Sequence, residues 1–121
     1  VARQLDLQTL TASGEVVGTL AYIAPEQIID SKRVDPRSDI YALGVVLFEC
    51  LSGRRPYHAA TLALLAQRIL TEDAQALDPA GAIEPALLEI LVQCLRRDPS
   101  RRFADARQLC DAVIALGTRI Q

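Results

Sequence analysis

Twelve consecutive residues, IYALGVVLFECL at positions 40–51, contain a single charge, Glu49. A helix on a protein surface shows one apolar stripe and one polar face, whereas a helix that is apolar all round has to be buried. A bilayer span needs about 20 apolar residues, so this run is too short to cross one. Asp35 offers an N-cap, Pro36 suits the first helical turn, and Gly53 suits the stop. The sequence therefore predicts a helix from Asp35 to Gly53 at the centre of the fold, with other helices packed around it.

The remaining composition sets limits. The chain has 121 residues, half of them hydrophobic, which excludes an intrinsically disordered polymer. Its mean hydropathy of +0.18 is high for a small domain, although only five residues are aromatic. Thirteen basic and fifteen acidic residues give a net charge of −2, without the positive field that nucleic-acid binding requires. Cys50, Cys94 and Cys110 are widely spaced, and His58 is the sole histidine, so no zinc-type ligand set is present. The cysteines read as buried thiols of a reduced cytoplasm. No basic-then-apolar leader opens the sequence, which fits a cytoplasmic location.

Residues 1–19 lack any sustained period and read as a loop, longer than the 12–15 residues or so that compact domains usually tolerate without a functional reason. A short helix is expected from Pro25 through Ile29. Three amphipathic helices follow the central one. The first covers residues 60–70, with Leu62, Leu65, Ala66 and Ile69 on one face. The second covers residues 85–96, carries Leu87, Leu88, Leu91, Val92 and Leu95, and is closed by Arg96 and Arg97 at its negative end. The third begins near Asp105, with Gln108 completing a capping box and Gly117 ending it; Leu109, Ala112, Val113 and Leu116 form its apolar face. No strand, repeat or low-complexity tract is expected.

Three blocks occur in order: GTLAYIAPEQ at 18–27, DPRSDIYALGVVLFECLSGRRPY at 35–57, and CLRRDPSRRF at 94–103. Together they resemble the second half of a protein kinase domain of the bacterial-like serine/threonine type. The first block is similar to the end of the activation segment with its Ala-Pro-Glu signature. The second resembles the long buried helix of the C-terminal lobe, and the third resembles the stretch before that lobe's last helix. The implied fold is all-α as given, the helical part of the C-terminal lobe of an α+β kinase, preceded by a long activation-segment loop. Residues 1–26 would be the activation segment with its Ala-Pro-Glu, and residues 27–121 the helical lobe.

The resemblance assigns roles residue by residue. Glu26 would pair with Arg102. If that pair is buried, losing one partner costs about 3–5 kcal/mol; read without the resemblance, the two are solvated charges worth roughly 0–1 kcal/mol. Asp39 would hold the catalytic loop, or, read alone, would simply complement the dipole of its helix. Thr19 would support the catalytic residues. Val16, Leu20 and Ile23 would form an apolar pocket for the substrate residue after the phosphoacceptor. Thr9, Thr11 and Ser13 are candidate regulatory phosphosites, where a phosphate would add about −2 charge. Glu15 stands where many kinases carry the phosphorylated residue and would act as a fixed carboxylate.

Phosphoryl transfer also needs a Gly-rich loop, a strand lysine, a catalytic-loop Asp and Asn, and the D-F-G Asp for Mg²⁺. These motifs are not in the 121 residues, and the resemblance places Val1 just after D-F-G. The expectation is thus an inactive fragment of a kinase. It holds no cofactor itself, while ATP and Mg²⁺ are implied for the intact enzyme. Its partners would be the N-terminal part of the kinase domain and a protein substrate, with no nucleic acid and no membrane at this segment. The competing reading is a non-catalytic, kinase-like helical scaffold. On either reading, part of the apolar surface of the central helix should be exposed when the chain stands alone.

Overall fold

The computed structural model describes residues 18–72, 74, 81 and 83–120. Among these no strand occurs, and besides the helical backbone of residues 18–20 there are α1 (Pro25–Ile29), α2 (Pro36–Ser52), α3 (Leu62–Thr71), α4 (Pro85–Cys94) and α5 (Ala106–Ile120), with a short 3₁₀ turn at Pro99–Arg101. This is the all-α architecture expected from the sequence.

α2 starts where its capping chemistry dictates. The Asp35 carboxylate accepts from the Arg37 N–H at 2.8 Å, and Pro36 occupies the first turn. It stops at Gly53, which takes the left-handed conformation (φ +77°) and donates its N–H to the Glu49 carbonyl. Packing is most extensive between α2 and α4, and α5 and the 3₁₀ turn also lie against α2. α2 and α4 approach closely at Gly44, where an added Cβ would sit 2.6 Å from the Cβ of Cys94. Any side chain there would have to push the helices apart. The main core gathers Tyr41, Val45 and Phe48 of α2 with Leu65, Ile69, Leu91 and Leu95, and it includes Leu20 and Ile23. A second cluster joins Ile40, Cys94, Phe103 and Leu109 beneath α5.

The central helix is not buried on every side. Tyr41, Val45 and Phe48 are fully enclosed, while Leu43, Val46 and Leu51 are between 39% and 46% exposed and Cys50 is also exposed. The exposed positions fall at helical spacing, so they form a stripe that no described element covers. This agrees with the expectation of exposed apolar surface and corrects the reading of complete burial.

Other boundaries shift for local reasons. Residues 18–20 carry helical backbone, closed by N–H bonds of Ala21, Tyr22 and Ile23 to the carbonyls three residues back, so the expected loop ends earlier than Thr19. α3 begins at Leu62 rather than 60, because Thr61 caps it through the Leu64 N–H. α4 ends at Cys94, two residues before the expected close. Arg97 therefore does not serve its own helix; it donates to the Leu70 carbonyl at the end of α3, 2.9 Å away. α5 runs through Gly117 to Ile120, since an exposed glycine only weakens a helix by about 1 kcal/mol. The Asp105–Gln108 cap forms, with Gln108 N–H on Asp105 and the Gln108 side chain reaching the Ala104 N–H. Val113, expected on the apolar face of α5, is 40% exposed.

Cysteine burial is corrected in two of three cases: Cys94 is buried, whereas Cys50 and Cys110 are exposed. Burial pushes the Cys94 thiol up to about 12, and the thiolate is the reactive form. A thiol-specific chromogenic reagent is expected to label Cys50 and Cys110 in the folded chain and to reach Cys94 only on unfolding. Three equally fast reactions under native conditions would contradict the packing of α4 on α2.

Candidate functional site

The segment from Gly18 to Glu26 is fastened at Tyr22 and at Glu26 by side chains from distant parts of the chain. At the Glu26 end the fastening is an ion pair with Arg102, 76 residues away. Pro25 starts α1 and sets Glu26 in its first turn, where the helix dipole favours a carboxylate. Arg102 follows the 3₁₀ turn, which Asp98 caps by accepting from the Ser100 N–H. The guanidinium meets the carboxylate as a fork, Nη1 to Oε2 at 2.7 Å and Nη2 to Oε1 at 2.8 Å, with both side chains at most 5% exposed. Ser38 of α2 donates to the same Oε2 at 2.6 Å.

The remaining donors of Arg102 are also used. Nε reaches the Arg96 carbonyl, Nη1 the Arg37 carbonyl and Nη2 the Arg97 carbonyl. The guanidinium lies 5.1 Å from the centre of the Tyr41 ring, a cation–π distance. A buried ion pair is tolerable only when every donor and acceptor is satisfied in this way. Burial by itself pushes the Glu26 carboxyl up; the bonds from Arg102 and Ser38 outweigh it and hold the group below the usual glutamate range. Burial drives the Tyr41 hydroxyl far above the ordinary tyrosine range, and this hydroxyl has no hydrogen-bond partner among the described residues.

At the second fastening, Tyr22 donates its hydroxyl to Glu49 of α2. Arg55 lies 3.5 Å from the other Glu49 oxygen, stands over the Tyr22 ring at 5.9 Å, and would be met by any side chain at Gly18. The bond to the Glu49 carboxylate, reinforced by partial burial, raises the Tyr22 hydroxyl above its ordinary value. Glu49 is thus the anchor that explains the lone charge in the apolar run 40–51. Spacing along the chain gives no role to Glu49, Tyr22, Arg55 or Ser38, whose contacts join distant segments. An isolated charge in a buried run was the available signal.

The other candidate residues fall as follows. Leu20 and Ile23 are 4% and 8% exposed and belong to the core. Thr19 is exposed on the same turn, and Asp39 is exposed in the first turn of α2. Val16, Glu15, Thr9, Thr11 and Ser13 lie outside the described residues. Among the described residues, no group of three or more His, Cys, Asp or Glu is placed to hold a metal ion. No helix among them is long and apolar enough to cross a membrane.

Comparison with known proteins adds the family. Residues 1–113 match the family described as the protein kinase domain. A serine/threonine-protein kinase named drp72 from Corynebacterium efficiens is 41% identical over 112 residues, covering 91% of this chain and 21% of that protein. From Mycobacterium tuberculosis, the serine/threonine-protein kinase PknL is 33% identical over 107 residues, 88% of this chain and 27% of its own length. PknA from the same species is 34% identical over 116 residues, 96% of this chain and 26% of its own length. The chain therefore spans only about a quarter of these relatives.

Proposed function

The chain belongs to the protein kinase family, of the bacterial serine/threonine type, and from that premise we propose that it is the activation-segment and helical-lobe portion of an enzyme that transfers phosphate from ATP to protein serine or threonine. The observation that carries this is the double fastening of residues 18–26. Glu49 holds Tyr22 and Arg102 holds Glu26, which makes a rigid platform of the stretch between them. A rigid platform is what positioning a peptide against a reactive centre demands.

On this reading, Val16, Leu20 and Ile23 contribute to an apolar subsite for the substrate residue after the phosphoacceptor. Leu20 and Ile23, as core side chains, would form its floor. Thr19 would face the catalytic residues and Asp39 the catalytic loop, both being exposed for contact. Thr9, Thr11 and Ser13 are the proposed phosphosites. ATP and Mg²⁺ would be held by residues other than these, since the sequence has no Gly-rich phosphate loop, and no transfer step is assigned to this chain's own side chains.

Two measurements test the reading. Sequencing the gene upstream of Val1 is expected to show, in frame, a Gly-rich loop, H-R-D and D-F-G. Incubation with labelled ATP, Mg²⁺ and a generic protein substrate is expected to give phosphoserine and phosphothreonine with the protein containing all of these, and no incorporation with the 121 residues alone. A start codon with no such upstream motifs would favour the non-catalytic scaffold instead.

A further inference from the structure

The cluster around Glu49 does more than fasten Tyr22. One carboxylate oxygen takes the Tyr22 hydroxyl, and the other faces Arg55, whose Nε stands 3.5 Å away. Both charged side chains are more than a third exposed, so the pair lies at the surface beside residues 18–26. The Arg55 guanidinium is held from two further directions. It stands 5.9 Å from the centre of the Tyr22 ring, within cation–π range. Its two Nη atoms lie against Gly18, where an added Cβ would sit 3.2 Å from Nη2 and 3.3 Å from Nη1. The missing side chain at Gly18 is what leaves room for Arg55 along the segment. Arg54, the preceding cation, stands over the Phe48 ring instead, 5.5 Å from its centre.

We infer that Arg55 is a specificity-determining residue: by occupying Glu49 it keeps the edge of the platform electrically neutral and denies that carboxylate to a basic residue of the substrate protein. The inference rests on the reading of residues 18–26 as the surface that positions a phosphoacceptor peptide. The competition for Glu49 is unequal. Arg55 belongs to the same chain, six residues from Glu49, and loses no translational freedom on meeting it, whereas a substrate arginine does. The resident guanidinium also offers the planar donor geometry that an incoming arginine would bring. An acidic substrate residue gains little at Arg55 in turn, because Glu49 stands beside that cation. This edge therefore selects neither sign of charge while Arg55 is present. Removing Arg55 bares a carboxylate and creates selection for a basic residue.

The test uses the complete kinase of which these residues are part, with peptides carrying a central serine or threonine and one Arg, Gln or Glu scanned through each flanking position. The readout is the ratio of kcat/KM for the Arg peptide to that for the Gln peptide, which a loss of folded enzyme does not move. Arg55→Gln is expected to raise this ratio about fivefold at one flanking position, the gain of one ion pair at a partly exposed site. Adding Glu49→Gln is expected to return the ratio to the parent value, since the amide oxygen still accepts from Tyr22 but carries no charge. Arg55→Ala bares Glu49 equally and carries the same test should Arg55→Gln fold poorly. An unchanged ratio in both Arg55 variants, or a gain that survives Glu49→Gln, would overturn the inference and leave the kinase reading standing. No phosphate transfer to any peptide by the complete protein would overturn the kinase reading and this inference with it.

Discussion

Arg102→Leu is expected to lower the stability of the chain by about 3–5 kcal/mol, read as a lower urea midpoint with an unchanged slope. The substitution strands the buried Glu26 carboxylate and leaves three backbone carbonyls without the donors that Arg102 supplies. Arg102→Lys should recover little, because a point ammonium cannot bridge both carboxylate oxygens and reach those carbonyls as well. Arg102→Leu combined with Glu26→Leu should recover much of the loss, since no uncompensated charge then remains. A loss of under about 1 kcal/mol on the single change would place the pair among solvated surface charges. The pH dependence has a definite sign. The folded-state Glu26 pKa is depressed, so its contribution is complete above the ordinary glutamate value of about 4.3 and is lost as the pH falls through the lower, folded value. The stability gap between the parent and Glu26→Gln should therefore hold at neutral pH and narrow below about pH 4.

Phe48→Ala is expected to cost a similar amount, about 3–5 kcal/mol, because the ring is fully enclosed by the core and its removal leaves a cavity. Val46→Ala, two residues earlier on the same helix, is expected to change stability by no more than about 0.5 kcal/mol in this chain. Val46 is 44% exposed and lies on the stripe that no described element covers. Thermal and urea unfolding of the two variants side by side would check the contrast. A Val46→Ala cost comparable with that of Phe48→Ala would mean that the stripe is buried, by self-association or otherwise; a dilution series would distinguish the two. Exposed apolar surface favours association, so binding of a hydrophobic dye by the parent chain is expected with it.

Much of the fold was legible in the residues because it rests on local chemistry. Asp35, Pro36 and Gly53 bound α2 through interactions that span a few residues, and Pro25 and the Asp105–Gln108 cap do the same for α1 and α5. The heptad-like apolar spacing of α3 and α4 likewise forces one face inward. Errors arose where a local signal competed with a distant partner. Arg97 looked like a helix-end cation for α4, yet the carbonyl it satisfies is Leu70 on another helix. Gly117 looked like a stop, but nothing at that exposed position forces the chain to turn. Cys50 and Cys110 looked like core residues because their neighbours are apolar, whereas exposure depends on which helix faces them.

The sequence alone determined the helical class, the central place of residues 40–51, and the family to which the three blocks point, since each depends on spacing along one stretch of chain. Only the tertiary structure decided which side of α2 is covered. Leu43 and Val46 have the same apolar character as Val45 and Phe48, and they differ only in whether α4 and the segment at residues 18–24 lie against them. Tertiary structure also decided the partner of the lone charge at Glu49 and set Arg102 against Glu26, 76 residues away. A run of apolar residues sets the demand for burial; the direction of that burial belongs to the elements packed around it.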